Sequence, residues 1–562
     1  MSRAVTALAA AAVTAAAAVP AGAQTPDERG RFFRPAVLSP GGVVATESAA
    51  AARAGRDVLA RGGNAVDAAV ATIFALGVAR PQSCGIGGGG FAVYRSRTGA
   101  VRTLDFRETA PRAFTPTTLS GPGLHRRFTG HLTVGVPGTV AGMDALLDRY
   151  GSRTWRELLT PAERLAREGF RVPHSLNRAA TENAERLRLF GAAAAQYLPG
   201  GQPPAAGTTL RQPELAATLR RIIRGGTTAF YRGTIARRIV TDMQAPRATD
   251  DPGLLTLQDF LDYRPVWRAP VTGAVRGYGI LAMGPPTSGG IALLEALNVL
   301  RNDDLTVNGR RSALGIHLVA EAQKIAFADR NRYVADPAFV RVPTQVLTAP
   351  SYGLGRREEI HPDRAQSYGA GAFPHPDGST SHISVVDRRG NAIAVTCTIE
   401  QEFGSAVVAP GTGFLLNNQL TDFGAPGTAN EPAAGKRPRS SMSPTIVVRR
   451  GRPVLVVGGA GGARIIGGVL HAVLNATDHG MEPSAALDAA RWDASSGQLE
   501  IEDARIDPAV LADLERRGHR LVRLGQYARR PRLTAAGMVK GIPAAVADPR
   551  TDDGALGVTV DR

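Results

Sequence analysis

The chain is poor in most of the features that assign a function quickly. It has two cysteines, Cys84 and Cys397, in 562 residues. Two cysteines build neither a disulfide framework nor a thiolate metal cluster, so the expectation is two buried thiols, with a single bridge between them left open. Lysine occurs only at 324, 436 and 540, so the formal charge of +17 is carried almost entirely by arginine. These arginines are spread along the chain in short runs such as Arg310-Arg311 and Arg529-Arg530, without interleaved aromatics. That pattern fits a solvated basic surface and argues against a nucleic-acid partner. No stretch beyond the first residues offers about twenty uninterrupted apolar positions, which excludes a membrane-spanning helix from the mature chain. The glycine run Gly85-Ile86-Gly87-Gly88-Gly89-Gly90 lacks the Gly-Lys-Ser/Thr ending of a phosphate loop, and it precedes a strand instead of following one. Neither a metal nor an organic cofactor is expected.

The composition that remains, 43% hydrophobic and 20% charged, is that of a soluble globular protein. Length alone suggests about three or four average domains, yet no repeat, low-complexity segment or linker divides the mature chain. Residues 1–23 stand apart. Arg3, an Ala/Val-rich apolar run and Ala21-Gly22-Ala23 read as a secretory signal peptide cut before Gln24. The run is too short and alanine-rich for a membrane anchor. The expected location is periplasmic or secreted.

Val43 to Thr46 reads as a strand, and Ser48 to Ala60 as a helix stopped by Arg61-Gly62-Gly63. Asn64 caps a second helix, Ala65 to Val78. The glycine run, read as backbone that must pass close to something else, leads into strand Phe91 to Tyr94. A second strand, Val101 to Phe106, ends at Arg107, whose planar guanidinium suits a substrate carboxylate. Residues 140–370 read as mostly helical, with apolar positions at helical spacing in Val140 to Tyr150, Pro161 to Glu168, Glu214 to Arg224, Ile291 to Leu300 and Ala313 to Tyr333. Pro285-Pro286-Thr287-Ser288-Gly289-Gly290 is a turn starting one of them.

From residue 380 the pattern changes to strands. Thr380 to Asp387, a turn at Arg389-Gly390-Asn391, and Ile393 to Ile399 form a β-hairpin. Thr380 follows a Pro/Gly/Asp loop at the head of the first strand, where a cut chain would expose it. There a threonine can be a nucleophile activated by its own α-amine. A strand at Ile446 to Val448 precedes another, Val454 to Val457, which ends in Gly458-Gly459-Ala460-Gly461-Gly462 before the helix Ile465 to Asn475. Glycines at such a junction leave backbone amides open beside a helix N-terminus, a setting that suits a developing oxyanion. A helix at Ala509 to Arg517 and strands near Ala544 to Ala547 and Val558 to Val560 close the chain.

In this order the motifs at Pro81 to Pro111, Pro285 to Gly290, Thr380 to Asp422, Lys436 to Thr445 and Gly458 to Arg464 resemble the γ-glutamyltransferase (γ-glutamyltranspeptidase) family of N-terminal-nucleophile hydrolases. The resemblance implies an α+β fold, a four-layer αββα sandwich. It also implies a proenzyme that cuts itself between Ser379 and Thr380 into a large subunit, 24–379, and a small subunit, 380–562, intertwined in one domain. It further implies that Thr380 is the nucleophile, Thr398 its hydrogen-bond partner, and Gly461 and Gly462 the oxyanion donors. A γ-glutamyl donor's α-carboxylate would fall to Arg107, Ser440 and Ser441, and its α-ammonium to Asp422, Gln419 and Glu400.

Two departures stand out. Glu400 occupies a place where many relatives have Asn. The loop from Gly424 to Gly435 is short and holds no aromatic residue, whereas lidded relatives carry a longer segment with a Tyr, so an open, lidless site is expected. The leading expectation is a γ-glutamyl hydrolase and transferase for glutathione-like donors, passing the acyl group to water, an amino acid or a peptide. One alternative is a glutaryl-cephalosporin acylase of the same family, for which Asp422 and Glu400 would stay unpaired. The other is a non-catalytic secreted protein that binds anionic polymers through its basic surface.

Overall fold

The computed structural model describes residues 34–120, 128–245, 252–306, 309–369, 378–528, 530–552 and 554–558. The expected signal peptide, 1–23, lies outside them. Two seven-stranded antiparallel sheets form the centre. One runs Val37–Leu38, Ile542–Ala547, Arg532–Val539, Arg452–Ala460, Thr445–Arg449, Tyr278–Ala282, Val271–Val275. The other runs Ala555–Gly557, Gly42–Ala45, Gly378–Asp387, Ala392–Gln401, Gly89–Arg95, Val101–Asp105, Val266–Arg268.

Their side chains divide into two cores. Ile383, Val385, Ile393 and Val395 pack among the helices Ala49–Ala60 and Ala65–Ala79. Val386, Ala392 and Ala394 join Val456, Val457 and the helices Gly289–Val299, Ala313–Tyr333 and Arg464–Thr477 in the second core. The layers are therefore helix, sheet, sheet, helix, and the fold is the expected α+β sandwich. With both faces covered, the hairpin strands Gly378–Asp387 and Ala392–Gln401 are buried throughout. Period two decides what each residue meets. Ile383 and Val385 face helices, whereas His382, whose ring would clash with any Cβ at Gly458, and Ser384, which donates to the Val456 carbonyl at 2.9 Å, face the other sheet. Thr380 has the same parity as His382 and lies directly opposite Thr398 in the hairpin register.

Local chemistry explains the flanking elements. Asn64 caps Ala65–Ala79 in a capping box with Asp67. Thr154 and Glu157 form another, which starts the next helix at Trp155 instead of the expected Pro161. The glycine run lies against the strand carrying Thr398. A Cβ at Gly88 would stand 2.0 Å from the Thr398 carbonyl oxygen, and one at Gly90 2.1 Å from that of Thr396.

Three expectations are corrected. Cys84 and Cys397 are not free thiols but a disulfide, with Cα atoms 5.5 Å apart. The odd-numbered parity of Cys397 turns it toward the helix-side core that also contains Cys84. The 140–370 region is mostly helical, as expected, but also contains five strands among the described residues: the short pair Phe170–Arg171 and Thr209–Leu210, then Val266–Arg268, Val271–Val275 and Tyr278–Ala282. The last two form a hairpin around Arg276 (φ 50°) and Gly277 (φ 78°), a two-residue turn whose twist matches its strands. Their Gly- and Ala-containing sequences have little intrinsic strand preference, and tertiary pairing decides their state. The final strand is Ala555–Gly557, just before the expected Val558 to Val560, whose last two residues are not among those described.

Candidate active site

A cleft opens at the end of the sandwich where the hairpin meets the start of the helix Arg464–Thr477. Its walls include Arg107, Thr380, Thr398, Glu400, Gln419, Asp422, Ser440, Ser441 and Gly462. These come from five separate stretches of chain, and all were candidates from the sequence. Gly461 adjoins the cleft through Gly462 but packs back against Pro531, with φ at 145°.

Thr380 Oγ1 donates to Thr398 Oγ1 at 3.3 Å, and Thr398 Oγ1 donates to the Ser379 carbonyl oxygen at 2.7 Å. The Glu400 amide donates to Thr398 Oγ1 at 2.8 Å, which fixes that hydroxyl from behind. Gly462 sits against Gly378, where a Cβ on Gly378 would come within 3.2 Å of the Gly462 Cα. The strand-to-helix junction thus abuts the segment just before Thr380.

Arg107 and Asp422 form an ion pair, Nη2 to Oδ2 2.5 Å. Arg107 Nη2 also donates to the Arg439 carbonyl at 3.0 Å and its Nε to the Pro438 carbonyl at 3.2 Å. Gln419 Nε2 donates to the same Asp422 oxygen at 2.8 Å. The groups expected to hold opposite ends of an amino acid thus contact each other in the cleft. Glu400 Oε2 and Gln419 Oε1 are buried without a hydrogen-bond partner. Burial, reinforced by the Asp422 charge, pushes the Glu400 carboxyl well above the usual carboxylate range, while Arg107 and Arg186 pull the other way. Glu400 has φ at 78°, a conformation costly for a side chain with a Cβ.

Ser440 Oγ accepts from the Met442 amide at 3.1 Å, and Ser441 Oγ accepts from Arg330 Nη2 at 2.8 Å. Arg330 and Arg439, both lining the cleft, escaped the sequence reading. Arg330 lies in a helix whose pattern reads as packing, and Arg439 follows Pro438 in a basic stretch, so neither carries a distinguishing local signal. No metal-ligating group of three or more His, Cys, Asp or Glu lies in the cleft among the described residues; the one such group is His317, Glu321 and His519, elsewhere. The loop after Asp422 is held down by Asn430, which donates to the Asp422 carbonyl at 2.7 Å and accepts from the Arg439 amide at 2.9 Å. It contributes no residue to the cleft wall.

The chain is similar to known proteins over most of its length. It is 40% identical over 509 residues to the glutathione hydrolase proenzyme of Escherichia coli (strain K12), covering 85% of this chain and 86% of that one. It is 39% identical over 493 residues to the acylase ACY 1 proenzyme of Pseudomonas sp. (strain SE83), covering 86% and 87%. The crystal structure of cephalosporin acylase from Bacillus halodurans superposes with a TM-score of 0.86 at 30% identity, covering 94% of this chain and 98% of that one. The gamma-glutamyltranspeptidase family pattern matches residues 51–558, and the chain belongs to that family.

Proposed function

We propose that this protein is a self-processing γ-glutamyl hydrolase and transferase acting on glutathione-like γ-glutamyl amides. The observation that carries the reading is the cleft that gathers Thr380, Thr398, Arg107 and Asp422 around the Ser379–Thr380 bond. The relatives named as proenzymes support processing. In the precursor, Thr380 Oγ1 attacks the Ser379 carbonyl carbon. Its proton passes to Thr398, and the Thr398 proton goes to the carbonyl oxygen it already touches. Collapse to an ester frees the Thr380 amine, and water releases 24–379 from 380–562.

The freed α-amine has an ordinary pKa of about 7.7–8.0 and can take the Oγ1 proton near neutral pH. Thr380 Oγ1 then adds to the donor's γ-carbonyl, and the oxyanion is met by the amides of Gly461 and Gly462. The amine leaves with a proton, and the γ-glutamyl ester is resolved by water, an amino acid or a peptide. The donor's α-carboxylate lies at Arg107, Ser440 and Ser441, and its α-ammonium at Asp422, Gln419 and Glu400. The unpartnered Glu400 Oε2 and Gln419 Oε1 favour a ligand rich in donors.

That feature weighs against the glutaryl-cephalosporin acylase reading, which the likeness to the Bacillus halodurans structure keeps as the competitor. A glutaryl group has no ammonium for these acceptors. Membership of an enzyme family removes the ground for a non-catalytic basic binder. Export to the periplasm or medium belongs to the same proposal. N-terminal sequencing of the small fragment tests it together with hydrolysis of L-γ-glutamyl-p-nitroanilide. A start at Thr380 and activity lost in Thr380→Ala are expected; an uncut chain, or an active Thr380→Ala, overturns it.

A further inference from the structure

Ser440 and Ser441 line the cleft, but a hydroxyl helps an anion only if its proton points outward. A serine hydroxyl has one proton to give and lone pairs to receive. In both serines the receiving side is occupied from within the protein, by the Met442 amide for Ser440 and by Arg330 Nη2 for Ser441. Arg330 lies in the last turn of the helix Ala313–Tyr333. It also donates through Nε to Ser288 Oγ at 2.9 Å, and Ser288 Oγ donates in turn to the Ser440 carbonyl at 2.7 Å. One guanidinium thus braces the backbone of one serine and the hydroxyl of the next. Arg439 Nη1 bonds the carbonyls of Arg330, Asn331 and Val334 at 3.2–3.4 Å, holding the helix end that carries the brace.

Arg330 has no ion-pair partner among the described residues, although it is buried at the cleft wall. A guanidinium stays charged at neutral pH, and leaving it buried without a counter-charge is costly. The carboxylate that acts on Arg330 from beyond ion-pair distance, Asp422, is already paired with Arg107. We propose that Arg330 is a positioning residue for anion recognition: it turns the Ser441 proton toward the donor's α-carboxylate and supplies a second positive charge behind it. The inference rests on the γ-glutamyl reading for the identity of the anion. Lysine, a point donor, cannot make both contacts of the fork.

The test compares wild type, Arg330→Met and Arg330→Lys on L-γ-glutamyl-p-nitroanilide and on 4-aminobutanoyl-p-nitroanilide, which keeps the amine and amide but lacks the carboxylate. Removing a charge-assisted contact should lower kcat/KM on the γ-glutamyl substrate about tenfold or more. The loss should lie in KM, with less than about threefold change on the decarboxylated substrate and partial recovery in Arg330→Lys. Calorimetric binding of L-glutamate and 4-aminobutyrate gives a readout independent of the reaction. Arg330→Met should weaken L-glutamate about tenfold and leave 4-aminobutyrate unchanged. Equal losses on both substrates, or unchanged L-glutamate binding, overturn the proposal. A wild type that binds L-glutamate through Arg330 yet hydrolyses no γ-glutamyl amide would instead overturn the assigned reaction and sustain the recognition role.

Discussion

The hydroxyl of Thr398 donates to the carbonyl oxygen of Ser379 at 2.7 Å while Thr380 Oγ1, at 3.3 Å, donates to Thr398. One side chain therefore touches both the attacking oxygen and the carbonyl that it would attack. The relation follows from the hairpin register, which sets Thr398 directly across from Thr380. In the proposed cleavage the Ser379 carbonyl would leave with the large subunit, and the same hydroxyl would become free to orient Thr380 for substrate. One residue can serve processing and turnover in succession.

Thr398→Val keeps the shape and removes the relay. Positioned proton transfer contributes about 10²- to 10⁴-fold, so appearance of the 380–562 fragment should slow by at least about a hundredfold. Thr398→Ser should cut at near the wild-type rate. Timed gels with intact mass measure both; equal rates in the two variants would remove Thr398 from processing.

The disulfide between Cys84 and Cys397 spans the proposed cleavage point, since Cys84 precedes Thr380 and Cys397 follows it. The cut protein should migrate as one covalent species without reductant and as two fragments with it. Replacing both cysteines by Ala should lower the melting temperature, with a cost of about 2–4 kcal/mol in keeping with native bridges. Co-migration that is identical with and without reductant would show that the bridge does not form.

Thr380 was legible as a residue at the head of a strand after a turn-rich run, whereas Thr398 and Asp422 were picked out only by the resemblance of their motifs to the family, since Asp422 lies in a short turn outside the strand pair. The glycine run was legible as a steric demand, and Gly88 against the Thr398 carbonyl meets it. The cysteine pair was not, because 313 residues separate its members and only the stacking of helix, glycine segment and strand brings them together. The strands Val271–Val275 and Tyr278–Ala282 were missed because pairing, of Tyr278–Ala282 with Thr445–Arg449 and of Val271–Val275 with Tyr278–Ala282, makes them strands, not their composition. Arg330 was hidden for the opposite reason: its helix reads clearly, and the helical pattern gives no sign that one polar residue in the last turn reaches another segment's serine.

Asp422 pairs with Arg107 in the cleft and is the acidic group that the proposed reading assigns to the donor's ammonium. Asp422→Asn should therefore lower kcat/KM on γ-glutamyl-p-nitroanilide by about 10- to 150-fold, the worth of a charged hydrogen bond. Its effect on glutaryl-p-nitroanilide, which brings no ammonium, should be much smaller, so the preference between the two narrows. A wild type that already prefers the glutaryl substrate would support the acylase reading instead.

Glu108 lies directly beside Arg107, fully buried, with both carboxylate oxygens lacking a hydrogen-bond partner. Burial pushes its pKa up to about 8, against the opposing pull of Arg107. A carboxyl raised in the folded state holds its proton there while the unfolded chain, with an ordinary pKa of about 4.3, has released it. Between those two values the folded state binds more protons, so stability falls as pH rises and levels off above about 8. At about 1.4 kcal/mol per pKa unit, the loss is on the order of a few kcal/mol. Glu108→Gln cannot ionise and should escape it. Its stability relative to wild type, measured by denaturant unfolding at intervals from pH 5 to pH 9, should therefore rise through that range. A difference that stays flat with pH would mean that Glu108 ionises in the folded protein as easily as in the unfolded chain, with the charge of Arg107 offsetting its burial.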